Sequence, residues 1–362
     1  MSDLAEELAR HVPVRVVAPG PRASCETWSL GVEVFRFAAP EQPLSTLKPW
    51  KPAELLTIRR VLDAGEEATR RAVQSGPTGH ILALWALPSG HWARRVARAS
   101  GVAYSVWTLG SDIWTLGHIP LVRTYLRRVL RDAKACYSDG LKLADETRRI
   151  GGREVRFLPS TRRIERTRTE PLRSAPPYRL LFLGRWHLNK GVDLLIEALR
   201  RLTDDDWQRI ETVEICGGGP LEPVVRAGID AFRAAHRPVE LHGYLDKAAA
   251  EDAMLRADWL LIPSRIESIP VVFSDAMKMG LPVVAMPVGD LPGLVAGHGT
   301  GHIASATSAE AFAHALARAL DDAPSRFLQA LSGMSARFDL AGAIVPDILR
   351  MLQARQQGAH DV

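Results

Sequence analysis

The sequence predicts an α/β protein built from two parallel-sheet domains, and three observations carry that expectation. Its 362 residues exceed the ~100–200 of a single domain. Short β-branched runs alternate with segments whose apolar residues recur at three-to-four spacing, as in strands joined by crossover helices. The alternation breaks at a polar, proline-bearing stretch, residues 162–178, and then restarts, as an interdomain linker would make it do.

The first series opens with an amphipathic helix at residues 2–10. Strands follow at 14–18, 32–37, 80–86, 103–108 and 155–158, with a helix at 121–134 between the last two. The second series places strands at 179–183, 213–216, 239–242, 259–262 and 283–285, with a helix at 191–202 after its first strand. A lone amphipathic helix, with Pro346 near its start, spans 341–357. The expected domains are therefore 1–170 and 177–340, followed by a terminal helix in 341–362.

Composition narrows the function classes. Apolar residues make up 46% and charged residues 24% of the chain, the balance of a soluble globular protein, which excludes wholesale disorder. No apolar run approaches the ~18 residues that cross a bilayer, and no secretory leader is expected. Cys25, Cys136 and Cys216 are too few and too far apart for a disulfide framework or a zinc cluster. A reduced, cytoplasmic setting follows as the expectation. Residues 1–175 carry 28 Lys+Arg against 18 Asp+Glu, a balance of +10; the rest carries 18 against 23, or −5, giving the net +5. A basic half joined to an acidic half points to two units with different partners. Nucleic acid as the partner fits the charge of the first half alone and no motif.

In open parallel sheets ligands bind beyond the carboxyl ends of the strands, so the residues just after each strand are the informative ones. The segment YRLLFLGRWHLNKGVDLLIEAL reads strand, turn, helix and puts Arg185 and Lys190 in the turn, with Gly191 opening the helix. Two cations beside a helix N-terminus suit an anion, because free N–H groups and the macrodipole add to their charge. A solvated basic turn is the alternative. The segment LLIPSRIESIPVVFSDAMKMGLPVVAMPVGD places Glu267 after a strand and Asp275 on the next helix, with Ser268 as a candidate cap and Pro270 in the first turn. Ionised carboxylates only accept hydrogen bonds, so this pair suits sugar or polyol hydroxyls. The alternative is a dipole-serving Glu and an unrelated surface Asp.

Weaker signals read as structure. Asp204-Asp205-Asp206 forms a D-x-D, but in a helix-to-strand connection on the wrong sheet edge for a metal site. Glu222 stands where a dinucleotide fingerprint needs its third glycine. No metal-ligand spacing appears among the histidines, so neither metal nor bound cofactor is expected. Arg123, Arg127, Arg131 and Lys134 share one face of the 121–134 helix, which suits either solvent or an anionic lipid surface. Trp85, Trp92, Trp107 and Trp114 fit a core as well as a ligand face.

Together these segments resemble the family 4 retaining glycosyltransferases, which have the two-Rossmann-domain GT-B architecture facing across a cleft. The family's GR followed by KG is matched by Gly184–Arg185 and Lys190–Gly191. Its Glu, seven residues, Glu, then G-x-P-V-V, is matched by Glu267, Asp275 and Gly280 to Val284. CGGGP at 216–220 and LHGYL at 241–245 match the family's glycine turns; WALPSG at 85–90 and LGSDIW at 109–114 match landmarks of its first domain.

The resemblance implies roles. Arg185 and Lys190 would hold the diphosphate of a nucleotide sugar, and Glu267 the sugar hydroxyls. Asp275 would take the ribose. The N–H groups near Ser268, of Ile269, Val271 and Val272, would approach the phosphates. Gly218, Gly219 and Tyr244 would flank the nucleotide, and Gly110 and Asp112 would lie on the acceptor side. Glu267, Arg185 and Lys190 form the expected catalytic set, in a metal-independent, retaining transfer to a lipid-linked or polysaccharide-type acceptor, with the enzyme peripheral on the membrane through its basic helix. The rival readings are a weakly active sugar-nucleotide-binding protein and a nucleotide-sugar epimerase. Asp275 is one methylene shorter than the family's Glu, Pro270 lacks an N–H, and Leu109 stands where many members have a histidine, with His91 and His118 nearby in sequence. The family also begins with an apolar strand before its first helix. This chain opens on the helix, so an N-terminal strand is missing from the expected sheet and Met1 is expected to be internal to a longer protein.

Overall fold

A computed structural model describes residues 2–353 apart from 43, 45, 46 and 49. The chain divides into two compact units: residues up to Leu158 together with those from Leu340 onward, and Pro159–Asp339.

The first unit carries strands β1 (Arg15–Gly20), β2 (Ser24–Thr27), β3 (Glu33–Ala38), β4 (His80–Leu84), β5 (Ala103–Thr108), β6 (Cys136–Ser138) and β7 (Arg156–Phe157). They form two separate sheets. One has the order β1-β3-β2, with β1 parallel to β3 through Val16↔Val34 and β2 antiparallel; the other is wholly parallel, β4-β5-β6-β7. Among the described residues no strand joins β1 to β4. The helix Pro120–Asp132 shows how the sequence builds the second sheet's cover. Proline occupies its first turn, where the missing N–H is harmless, and Leu126, Val129 and Leu130 at i, i+3, i+4 are fully buried beside Val106 and Tyr104. Each such burial contributes roughly 1.5–3 kcal/mol.

The chain's last described segment belongs to this unit. Residues Leu340–Ile344 form a π-helical turn and Val345–Gln353 an α-helix. Leu340, Ile344, Val345 and Ile348 pack with Leu4, Leu8 and Trp107. The part of the expected 341–357 helix beyond 353 lies outside the described residues.

The second unit contains β8 (Tyr178–Arg185), β9 (Ile210–Gly218), β10 (Val239–His242), β11 (Trp259–Ile262), β12 (Val283–Ala285) and β13 (Gly301–Ile303). All are parallel, in the order β10-β9-β8-β11-β12-β13. This is the doubly wound 3-2-1-4-5-6 order, and its topological switch lies between β8 and β11, where ligands bind in such sheets.

The expected linker is not a linker. Residues 159–177 are part of the second unit, so its edge falls at 159 rather than near 170–177. Arginines explain this. Arg168 donates to the carbonyls of Met254, Leu255, Ala257 and Met279 at 2.8, 2.7, 3.1 and 3.2 Å, taking up acceptors at two helix C-termini. The N–H groups of Glu165 and Arg166 donate to Glu251 Oε2 at 3.2 and 3.1 Å. Polar composition suggested a solvated tether; here it feeds carbonyls that helices leave unpaired. Among the described residues no helix is long and apolar enough to cross a membrane.

Candidate functional site

At the switch point the turn after β8 meets the loop after β11. The 3-10 turn Leu188–Lys190 ends on Gly191, whose φ is +69°. A Cβ there would stand 1.9 Å from the Pro263 carbonyl oxygen, so only glycine allows both the left-handed backbone and the close approach. That approach brings Lys190 to Glu267, where Nζ and Oε1 form an ion pair. Ser264 Oγ donates to the same Oε1 at 3.2 Å. Arg265 clamps the two loops. It donates to both Asp193 oxygens at 2.8 and 2.7 Å and to the Leu188 carbonyl at 2.8 Å. The bidentate contact holds the Asp193 carboxyl below its usual range, against the opposing effect of burial. Arg185, at the end of β8, is exposed.

The helix Val271–Lys278 begins at this loop. The expected Ser268 cap does not form: the N-cap position is Pro270, in extended backbone, with no side-chain capping bond. Ser268 lies two residues too early to cap. Its Oγ is buried without a partner, and its carbonyl accepts from Asp290 N at 3.2 Å. The N–H groups of Val271 and Val272 therefore open the helix uncapped by any side chain, which leaves the positive end of its dipole available to an anion.

Asp275 lies one turn further along this helix and is only 1% exposed. Arg162 Nε donates to its Oδ2 at 2.6 Å, and Lys278 Nζ stands 3.5 Å from Oδ1. Burial pushes the carboxyl pKa up, against the lowering pull of Arg162 and Lys278. Asp275 is thus covered by Arg162. On the other side of β8, Gly218 and Tyr244 come together: the Tyr244 hydroxyl donates to the Gly218 carbonyl at 2.7 Å, and a Cβ at Gly218 would meet the ring at 2.6 Å. Gly219 follows in the same turn, with φ +142°.

The first unit holds the residues assigned to an acceptor. Asp112 is buried; it accepts from the N–H groups of Ala86, Gly110 and Leu109 at 2.7, 3.1 and 3.3 Å. Burial pushes its pKa up to about 6 despite those bonds. The carboxylate ties the ends of β4 and β5 together and fixes Trp85, which is 38% exposed at a φ of +70°. Such a backbone is strained for a bulky residue. Trp92 and Trp107 are core. His91 Nδ1 bonds the Tyr125 hydroxyl at 2.5 Å, and burial lowers its pKa. His118 is exposed. On the basic helix, Arg123 and Arg127 donate to the carbonyls of Gly117 and Ile150 at 3.2 and 3.1 Å, while Arg131 is exposed. Asp206 completes a capping box with Thr203, and Asp204 pairs with Arg237. Among the described residues no group of three His, Cys, Asp or Glu is placed to hold a metal.

The structure thus brings Lys190, Glu267, Val271 and Val272 to one place, and Gly218 with Tyr244 to another on the same sheet edge. Sequence reading missed Ser264, Arg265 and Arg162. The first two lie inside the segment already singled out; Arg162 lay in what looked like a tether.

Comparison with known proteins agrees with this architecture. A family model described as "Glycosyl transferase 4-like domain" matches residues 1–161, and one described as "Glycosyl transferases group 1" matches residues 177–322. The D-inositol 3-phosphate glycosyltransferase of Corynebacterium aurimucosum is 30% identical over an alignment 292 residues long, which covers 70% of this chain and 62% of that protein. The alpha-D-kanosaminyltransferase of Streptomyces kanamyceticus is 30% identical over 145 residues, 40% of this chain and 36% of its own length. The chain therefore spans less than two thirds of these relatives. Among solved structures, the sucrose-phosphate synthase of Thermosynechococcus elongatus superposes with a TM-score of 0.69 at 18% identity, over 99% of this chain and 92% of that one. Anabaena HepE in complex with UDP and glucose gives 0.66 at 16% identity, over 90% and 87%. With two Rossmann-like units, both matched by glycosyltransferase models, the chain belongs to the family 4 glycosyltransferases of GT-B architecture.

Proposed function

We propose that this protein is a retaining, metal-independent glycosyltransferase that takes its sugar from a nucleotide-diphosphate donor bound to the second unit. The observation that carries the reading is the Lys190–Glu267 pair beside the uncapped helix at Val271. It sets a cation, a carboxylate and free N–H groups side by side, which is what a sugar diphosphate offers contacts to. On donor binding, Lys190 and Arg185 turn to the diphosphate and Glu267 accepts from the sugar hydroxyls. Departure of the sugar leaves negative charge on the β-phosphate, which these cations and N–H groups stabilise. HepE, a neighbour of the same fold, is solved with UDP and with UDP-glucose, which supports a nucleotide donor.

The acceptor is assigned to the first unit, near Gly110 and Trp85. The relatives are named as a D-inositol 3-phosphate glycosyltransferase and a kanosaminyltransferase, which supports a hydroxyl-bearing acceptor; a lipid-linked or polysaccharide-type one is the proposal. Arg131, with its neighbours on the 120–132 helix, is the proposed contact to an anionic membrane surface.

Titration with UDP and GDP tests the donor site. Lys190→Ala and Arg185→Ala each remove a charge-assisted contact worth roughly 1.5–3 kcal/mol, or about 10–100-fold in Kd. Glu267→Gln is expected to lower sugar transfer more than nucleotide binding. Unchanged titrations in both cation variants, or activity that EDTA abolishes, would refute the assignment.

A further inference from the structure

The surroundings of Asp275 carry a second assignment, which rests on the donor-site reading above. Its carboxylate is sealed. Oδ2 is taken by Arg162 Nε, and Oδ1 is buried without a hydrogen bond, 3.5 Å from Lys278 Nζ. Lys278 also donates to Thr161 Oγ1 at 2.7 Å and to the Arg162 carbonyl, so it fixes the backbone that carries Arg162. The side chain of Arg162 keeps 29% of its surface, while that of Asp275 keeps 1%. Among the described residues the guanidinium's one protein bond is through Nε, which leaves both Nη groups with donors to offer. Asp275 lies four residues beyond Val271, on the same helix face and about one turn, or 5–6 Å, from the helix N-terminus.

We propose that Arg162, held by Asp275, is a donor-nucleotide ligand: its Nη groups present N–H donors to nucleotide oxygens at the place where a carboxylate would present acceptors. Asp275 is then a positioning residue. Its shorter side chain fits the assignment, since it draws the carboxylate back toward the helix and lets the guanidinium of Arg162 cover it. The site gains a further cation within one turn of the uncapped N-terminus. Its charge is stabilised by a buried carboxylate, which also fixes the rotamer of a long side chain and lowers the entropy lost when the nucleotide is bound.

The two possible roles predict opposite orders of effect. UDP and GDP are titrated calorimetrically into the parent protein, Arg162→Met, Arg162→Lys and Asp275→Asn. Arg162→Met is expected to weaken the preferred nucleotide at least 10-fold and Arg162→Lys less. Asp275→Asn, which keeps the shape and one acceptor oxygen, is expected to weaken it by no more than about 3-fold. The double variant Arg162→Met/Asp275→Asn removes both charges; it avoids an unpaired buried carboxylate and is expected to match Arg162→Met. The assignment is overturned if Arg162→Met and the double variant bind as tightly as the parent, or if Asp275→Asn loses more than Arg162→Met. Failure of the parent to bind either nucleotide overturns both this assignment and the donor reading, whereas loss in Lys190→Ala without loss in Arg162→Met overturns this one alone.

Discussion

The two units are made from similar material and differ at one place in their sheets. In the second, β8 sits at the centre, bonded to β9 on one side and β11 on the other, and six strands form one sheet. In the first, among the described residues, β1 and β4 each pair on one side only, and the sheet is in two pieces. Burial follows. All four residues of β11 are buried, as are four of the first five of β8, whereas β4 has one buried residue, Ala83, and β1 none. A side chain takes over part of the work of the absent backbone bonds. Arg15, first residue of β1, donates from Nη1 to the Ala72 and Gly76 carbonyls at 3.1 and 3.2 Å and to Thr78 Oγ1 at 2.8 Å, and from Nη2 to the Pro77 carbonyl at 3.3 Å. Those residues lead directly into β4. The comparison teaches that apolar alternation makes strands, but a continuous sheet needs a strand with partners on both edges.

The largest test of this contrast is truncation of matching side chains. Leu180→Ala, in the buried centre of β8, is expected to destabilise the second unit by about 2–5 kcal/mol. Val16→Ala in half-buried β1 is expected to cost about 1 kcal/mol, since much of that side chain is already solvated. Denaturant titrations read by hydrogen-exchange mass spectrometry would assign each loss to its unit; equal losses would break the contrast. Next is exchange in the unmodified protein. Amides on the unpaired edges of β1 and β4 are expected to exchange about 100-fold faster than those of β8, a gap of about 2.7 kcal/mol in opening free energy. Comparable protection would show that something other than sheet hydrogen bonds guards those edges.

Last comes a pH dependence confined to the first unit. The Asp112 pKa in the folded protein, about 6, lies above its ordinary 3.8, so the folded state holds the proton more tightly. The stability this confers is complete below about pH 4 and is lost as pH rises through about 6. Asp112→Asn does not titrate. The parent is therefore expected to lose stability relative to this variant between those limits, by up to about 3 kcal/mol. A parent-minus-variant difference that stays flat across that range would contradict it. Because Asp112 fixes the Trp85 backbone, Asp112→Asn is also expected to raise the acceptor KM more than it changes nucleotide affinity, as steady-state kinetics and UDP titration would show.

Much of the second unit was legible in the sequence, because strand, turn and helix follow one another locally. Gly191, Lys190 and Glu267 could be picked out since residues after a parallel strand face the ligand edge. What escaped was non-local. Nothing in a polar run rich in arginine tells a tether from a strap; the difference lies in carbonyls 86 and 111 positions away, as the bonds of Arg168 to Met254 and Met279 show. Asp275 read correctly as a carboxylate on a helix, yet its exposure depended on Arg162, 113 residues earlier. Ser268 met the compositional rule for a cap, but Pro270 took the position that geometry requires.

The chain passes between its units twice, at Leu158–Pro159 and at Asp339–Leu340, and the two crossings lie close together on the second unit: Thr161 Oγ1 donates to the Phe338 carbonyl at 2.8 Å. The second unit is therefore a topological insert whose ends meet. Such a piece can be lifted out of one gene and set into another without stretching its host, and it can be circularly permuted by joining 159 to 339 through a short turn. Recombination that exchanged residues 159–339 between relatives would swap the whole second unit while leaving the rest of the chain in place. A family built this way can exchange one unit without re-cutting the other.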